Sequence, residues 1–208
     1  MATKIDKGKL TFDFVRAAQK VEAARLLVRV FPDYSWEAGR AVERHLARKD
    51  NFFSKMIYGS RPSPAILGAF MDGKLVGTVQ CNPSWRFEED WDISWLAVDP
   101  AFRKQGIGHA LIARAEDFIR NTPLEKEERE IYLDDGTKLS NARSRFYEKM
   151  GYVPAPDMDD VNGLTVLTKK IFGAVKPPEE KRPSTFSIWI SNLWKTEGRK
   201  DKSAPNPA

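Results

Sequence analysis

The chain has 208 residues, enough for one domain with a full hydrophobic core and too few for two comfortable ones. Hydrophobic residues make up 41% and charged residues 30%, and the formal net charge is +5 with both signs interspersed. That balance suits a folded protein with acidic small ligands such as phosphates and does not call for nucleic acid, whose binders cluster their basic residues. A single cysteine, Cys81, excludes an internal disulfide framework, and with only two histidines, His45 and His109, a structural zinc site is not expected.

Lys4, Lys7 and Lys9 are followed by Asp13 and Arg16 rather than by an apolar core, so no secretory leader is expected. No apolar run approaches the length of a membrane span. The expected location is the cytoplasm.

Leu10 to Ala17 alternates apolar and polar residues at its start and predicts a strand. Lys20 to Phe31 carries Val21, Ala24, Leu27, Val28 and Phe31 at helical spacing, and Pro32 stops it. Trp36 to Lys49 predicts a second helix, with Ser35 as its N-cap. Ala65–Met71 and Lys74–Gln80 are strand-like runs joined by Asp72-Gly73, a dipeptide that favours the positive backbone angles of a tight hairpin. A polar loop from Asn82 to Asp90 leads to a strand over Trp91–Val98, which Asp99-Pro100 ends. A helix from about Gly106 to Asn121 buries Ile107, Leu111, Ala115, Phe118 and Ile119. Glu130–Leu133 predicts a short strand, Asn141–Met150 a helix closed by Gly151, and Tyr152-Val153 and Leu164–Phe172 the last strands.

From Gly173 the composition changes. Lys176–Pro183 reads as a linker. Ser184 then begins a short amphipathic helix, with Phe186, Trp189, Ile190, Leu193 and Trp194 on one side, and the last ten residues are expected to be unstructured. The expected division is a domain over 1–172 and a tail over 173–208. That tail helix is expected to pack on the domain or on a second subunit of a homodimer, with a membrane surface and an unfolded tail as the alternatives, and its face carries few basic residues for a membrane.

The segment from Val98 to Ala110 is a strand end, a polar loop with two glycines and a helix start. The first N–H groups of a helix lack internal partners and carry partial positive charge, so such a junction favours an anion. Gly106 and Gly108 allow close approach of a ligand, and Arg103 and Lys104 add charge that suits a diphosphate. An ordinary tight turn is the bland alternative. A dinucleotide fold would want G-x-G-x-x-G after its first strand, and a P-loop would want G-K-[ST]; neither is present.

Arg103-x-x-Gly106-x-Gly108 resembles the coenzyme A signature Q/R-x-x-G-x-G/A of the GNAT family of N-acetyltransferases. The preceding Leu96-Ala97-Val98-Asp99-Pro100 is similar to the same family, and so is NARSRFYEKMGY over Asn141–Tyr152. The resemblance covers roughly Leu10 to Phe172. It implies a mixed α/β fold: a mostly antiparallel central sheet of six or seven strands flanked by about four helices, with a C-terminal extension. It also implies an acyltransferase that uses acetyl-coenzyme A, with an amine acceptor as its other partner.

On that resemblance, backbone amides of Lys104, Gln105, Gly106, Ile107, Gly108 and His109 hold the pyrophosphate, and Arg103 shapes the loop or contacts a phosphate. Leu96, Ala97 and Val98 pair with the pantetheine arm like an added strand, and the amide near Leu96 polarises the thioester carbonyl. Tyr147 matches the tyrosine that protonates the departing thiolate; otherwise it is a buried aromatic beside Phe146. Asn141 stands one residue away from the family's asparagine position, which Ser140 holds, and Arg143 replaces the usual alanine. Asn141 is kept as a cofactor contact.

Asp92 matches a position where several members carry a glutamate base, with a shorter side chain. Glu88, Glu89 and Asp90 are its rivals, and a solvent-facing strand position is the alternative reading. His109 is a further titratable group near the loop. In similar proteins the first two helices wall the acceptor site, here around Pro32-Asp33-Tyr34-Ser35-Trp36. Three functions stay open: acetylation of a small amine, acetylation of a protein lysine or N-terminus, and a non-catalytic acyl-coenzyme A module.

Overall fold

A computed structural model of the chain describes residues 10–47, 62–84, 87–135, 141–155, 158 and 165–175. Ser140, Leu164 and the expected linker and tail helix after Val175 lie outside the described residues. The strands are β1 (Leu10–Phe14), β2 (Ala65–Met71), β3 (Lys74–Pro83), β4 (Trp91–Val98), β5 (Glu128–Asp135), β6 (Val153–Pro154) and β7 (Thr165–Phe172). The helices are α1 (Lys20–Val30), α2 (Ser35–Ala47), α3 (Ile107–Asn121) and α4 (Asn141–Glu148).

All seven strands join one sheet in the order β1-β2-β3-β4-β5-β7-β6. Every neighbouring pair is antiparallel except β4 and β5. The hairpin between β2 and β3 turns at Asp72 and Gly73, whose φ angles are 50° and 79°. Both residues of such a turn need positive φ, and Asp-Gly supplies it at low cost.

β2 and the first half of β3 are buried on both faces. Helices cover each side, which explains their continuous apolar runs. On one face, Ile107, Leu111, Ile112, Ala115 and Ile119 of α3 pack on Val79, Cys81, Trp91, Ile93, Ile131, Leu133, Leu167 and Ile171. On the other, Ala23, Leu26 and Leu27 of α1 and Ala38 and Val42 of α2 pack on Ile66, Phe70, Leu75 and Ala97. Gly77 sets how closely α3 approaches. A Cβ there would meet Leu111 Cδ1 at 3.0 Å, the Ala97 carbonyl at 3.1 Å and Ile107 Cγ2 at 3.3 Å.

Several boundaries differ from the sequence reading. β1 stops at Phe14 instead of reaching Ala17, because the Asp13 carboxylate takes the Phe14 N–H at 2.7 Å and the Gln19 side chain takes the Arg16 N–H at 2.9 Å. These bonds open a 3-10 turn over Ala17–Gln19. Ser35 does not stand outside its helix as an N-cap. It is itself helical (φ −59°, ψ −37°), since a 3-10 turn over Pro32–Tyr34 runs straight into α2. Asn82 and Pro83 belong to β3 rather than to a loop, paired with Asp92 and Trp91. β5 is longer than its apolar stretch at both ends, because β7 pairs with it throughout. On α3, Phe118 is only half-buried, stacking edge-on against Phe14 and Trp91, while Ile112 and the charged Glu116 are buried.

Arg129 ties the far end of the domain together. It is 1% exposed and donates to the Ile119 carbonyl at 2.5 Å, to the Lys126 carbonyl at 3.3 Å and to the Ala174 carbonyl. A cation on the last carbonyls of α3 satisfies groups the helix cannot satisfy itself and complements its dipole.

Because α3 lies so close over Gly77, Gly77→Ala is expected to lower unfolding free energy by about 1–3 kcal/mol, the usual range for overpacking. Urea denaturation of the two proteins measures it, with an unchanged m-value as the sign that the fold itself is kept.

Candidate functional site

β4 is two strands in one. Its first three residues, Trp91, Asp92 and Ile93, pair in parallel with Ile131, Tyr132 and Leu133 of β5. Beyond Ile93 the register with β5 ends, while β3 stays paired with β4 to Val98. Ser94 to Val98 therefore keep their ladder with β3, and among the described residues no strand pairs with their other edge.

A bulge lies inside this segment. Gln80 pairs with Ser94 and Thr78 with Ala97, so Trp95 and Leu96 together oppose Val79. Trp95 has φ 51°, a left-handed conformation that costs a bulky residue about 1–3 kcal/mol. Its ring packs edge-on at 5.4 Å against Phe31, the residue just after α1, which holds it there. After the bulge, Leu96 and Val98 pack on the α3 side and Ala97 on the α1 side.

The turn after β4 is built by Asp99, which is 8% exposed. Its Oδ1 accepts from the Ala101 N–H at 3.0 Å, and its Oδ2 meets Arg29 Nη1 of α1 at 2.5 Å. Its own N–H donates to the Val76 carbonyl at 2.9 Å. The sequence reading took Asp99-Pro100 as a strand stop and missed this role; an Asp capping a following Pro is the signal that could have found it. Arg29 gives no such local signal.

The loop then alternates in hand. Lys104 has φ 60° and Gly106 φ 82°, on either side of Gln105. Successive amides in such a path point into one concavity, an arrangement suited to anions. Gly106 is the N-cap of α3 and has no heavy atom within 4 Å of where a Cβ would lie. The N–H groups of Ile107, Gly108 and His109 open the helix and have no partner within it. Arg103 donates from Nε to the Val98 carbonyl at 3.1 Å, so its side chain braces the loop. Gln105 reaches back to the Ala101 carbonyl at 3.4 Å. His109 is exposed on the first turn of α3.

Tyr147 lies on α4, half-buried against the α3-side core. Phe146 beside it packs toward Gly108, 3.7 Å from where a Cβ would stand. α4 ends in a left-handed turn: Gly151 has φ 85°, the Tyr152 N–H donates to the Tyr147 carbonyl at 3.1 Å, and the Gly151 N–H to the Glu148 carbonyl at 2.9 Å. Asn141 is the first residue of α4.

Asp92 faces the other way. It alternates with Trp91 and Ile93, which are buried on the α3 side, so it lies on the sheet face opposite Tyr147. Around it that face is polar. Asn82 and Tyr132 flank Asp92 on the neighbouring strands, and Ser94 accepts from Asn82 Nδ2 at 3.1 Å. The Tyr132 hydroxyl donates to Glu130, and the Glu130 N–H donates to Asp90 at 2.9 Å. Burial pushes the Asp90 carboxyl above its usual range, against the Glu130 amide that stabilises its charge. Burial and the bond to Glu130 likewise push the Tyr132 phenol up. Phe87 stacks on Tyr132 at 5.4 Å.

The structure thus brings the side chains of Leu96 and Val98, the loop from Arg103 to His109 and the Tyr147 helix to one side, and puts Ala97 and Asp92 on the other. β4 and β5 part after Ile93 and Leu133, between these two sides. Glu89 is engaged elsewhere, accepting from the Glu125 and Lys126 N–H groups at 3.0 and 2.8 Å. Around Pro32–Trp36, Tyr34 and Trp36 are exposed and Trp36 is stacked by Arg40 at 5.4 Å.

A family model described as acetyltransferase (GNAT) family matches residues 26–152. An uncharacterized N-acetyltransferase of Archaeoglobus fulgidus is 33% identical over 148 residues, 69% of this chain and 86% of its own. An uncharacterized protein of Mycobacterium leprae is 28% identical over 131 residues; the match takes in 61% of this chain and 32% of that relative's length. Among solved structures, an aminoglycoside 6'-acetyltransferase type Ii superposes with a TM-score of 0.58 at 20% identity, over 80% of this chain and 99% of its own. PaiA N-acetyltransferase from Thermoplasma acidophilum, in complex with coenzyme A, gives 0.55 at 18%, over 78% and 99%. The chain belongs to the acetyltransferase (GNAT) family. It is an acyltransferase, and its acyl donor is acetyl-coenzyme A. Among the described residues, no helix is long and apolar enough to cross a membrane.

The left-handed loop and helix start fit that donor's diphosphate, and the open edge of β4 fits its amide-bearing arm. Gly106→Ala has steric room but the wrong backbone conformation, so it is expected to lower stability by about 1–2 kcal/mol. Isothermal titration should show acetyl-coenzyme A binding weakened in the same variant.

Proposed function

We propose that this chain moves the acetyl group of acetyl-coenzyme A directly onto the primary amine of a small molecule, with both held at once. The parting of β4 from β5 beside the left-handed loop carries this reading.

Backbone amides of Lys104–His109 hold the diphosphate of the donor, and Arg103 keeps their loop in shape. Leu96, Ala97 and Val98 offer the backbone edge that pairs with the pantetheine arm. The Leu96 amide donates to the thioester carbonyl oxygen, where charge develops during attack. Asn141 is a cofactor contact at the start of α4.

The acceptor comes from the α1 side. A lysine-like amine must lose a proton, which costs about 4–5 kcal/mol at pH 7. Asp92 takes that proton, directly or through water. On the other face, Tyr147 gives a proton to the departing thiolate, a task of only about 2 kcal/mol at neutral pH. Separate faces keep the two proton transfers from short-circuiting. Asp90, Asp92 and Glu130, with the rings of Tyr132 and Phe87, make the acceptor face suited to a cationic small amine.

The test is acetylation of a panel: spermidine, tyramine, an aminosugar, and short peptides offering a lysine or an N-terminal amine. A small amine should be the fastest substrate, and Tyr147→Phe should lower its kcat by about 10²-fold. Peptides outrunning every small amine would overturn the acceptor assignment, and absence of acetyl-coenzyme A binding would overturn the whole reading. The assay counts released thiol, so Cys81 matters. It is fully buried, and burial pushes its thiol far above the usual range. The native protein is therefore expected to show no thiol reacting with Ellman's reagent, and one per chain once unfolded in guanidinium.

A further inference from the structure

We propose that the ion pair of Lys169 with the buried Glu116 positions Tyr147; this rests on the assignment of Tyr147 as proton donor. Lys169 stands on β7 between Leu167 and Ile171, which are 1% and 4% exposed in the α3-side core. The period of a strand gives Lys169 the same inward face. Glu116 stands on the buried stripe of α3, one turn after Ile112 and one before Ile119. Each partner thus occupies a place that patterning reserves for an apolar side chain.

Lys169 Nζ donates to both carboxylate oxygens of Glu116 at 2.9 Å, and Glu116 is 7% exposed. The Lys169 side chain stays 24% exposed, and a half-covered pair of this kind is seldom more stabilising than apolar residues of the same volume. Stability alone does not explain it.

The third bond does. Lys169 Nζ donates to the Met150 carbonyl at 2.6 Å. Met150 is the last residue before Gly151, inside the turn that ends α4. The bonds of that turn converge on Tyr147: its carbonyl accepts from the Met150 N–H at 2.9 Å and from the Tyr152 N–H at 3.1 Å. Lys169 Nζ also lies 5.4 Å from the centroid of the Tyr152 ring, which packs edge-on against the Tyr147 ring at 6.0 Å. Lys169 therefore reaches Tyr147 through the backbone turn and through a neighbouring ring.

α4 is clamped to α3 at two points. Phe146 packs at Gly108, on the first turn of α3. Lys169 and Glu116 fix the other end, two turns further along the same helix. Between these points the Tyr147 ring is held at a set angle to the anion loop.

The variant to make is Lys169→Met/Glu116→Leu, which removes both charges and keeps the core apolar. Its Tm should stay within about 4 °C of wild type, and its affinity for acetyl-coenzyme A should be unchanged. With the fastest small amine of the panel, kcat should fall about tenfold, as expected for a displaced catalytic group. Added to Tyr147→Phe, the same change should lower kcat no further. Hydrogen exchange at the Gly151 and Tyr152 amides should speed up. Should the double variant fail to fold, Lys169→Arg, which keeps charge and donors, is expected to retain most of kcat. A wild-type kcat in the double variant, an undiminished loss in the Tyr147→Phe background, or a Lys169→Arg loss as large as tenfold overturns the proposal. Full kcat in Tyr147→Phe alone overturns the proton-donor assignment instead, and the positioning role with it.

Discussion

A strand in the middle of a sheet presents two rows of backbone donors and acceptors, and both rows need partners. Among the described residues, β4 has a strand partner on one side only from Ser94 to Val98, and the remainder of the site is arranged around that stretch. β3 holds the other edge all the way to Val98, so the strand stays ordered where its pairing with β5 has ended. The packing of Phe31 on Trp95 offsets the strain of its left-handed backbone and keeps the bulge in place.

The loop and helix after β4 depend on the same strand for their position. Asp99 joins the end of β4 to β3 through Val76 and to α1 through Arg29. Gly77 lets α3 come close enough for its first turn to sit beside the end of β4. A diphosphate site made of backbone amides is only as good as the placement of the helix that supplies them. Here that placement is set by one absent Cβ and one buried carboxylate.

Much of this was legible before the fold was known. The Asp72-Gly73 hairpin, the extent of β4, the glycines of the anion loop and Gly151 as the end of α4 all carry local chemical signals: positive φ, a proline stop, a helix start. What escaped has no local signal. The bulge at Trp95 is invisible because tryptophan is an ordinary strand residue. The Arg29–Asp99 bond spans 70 residues. Lys169 and Glu116 look like surface charges in the sequence, since only the packing of β7 on α3 makes their positions interior. Asp92 and Tyr147 were readable as candidates, but their separation onto opposite faces follows from the alternation of β4 beside Trp91 and Ile93 in the folded sheet.

The bulge also changes a count. Between Ser94 and Ala97, β4 spends one residue more than β3 does between Gln80 and Thr78. A strand's side chains alternate by one residue and a helix turns about 100° with each, so everything downstream is phased by that single insertion. Remove it, and Ala97 and Val98 exchange faces, Asp99 points away from Arg29, and the amides of the loop open in another direction. At this bulge the number of residues, apart from their identity, sets the phase of everything that follows.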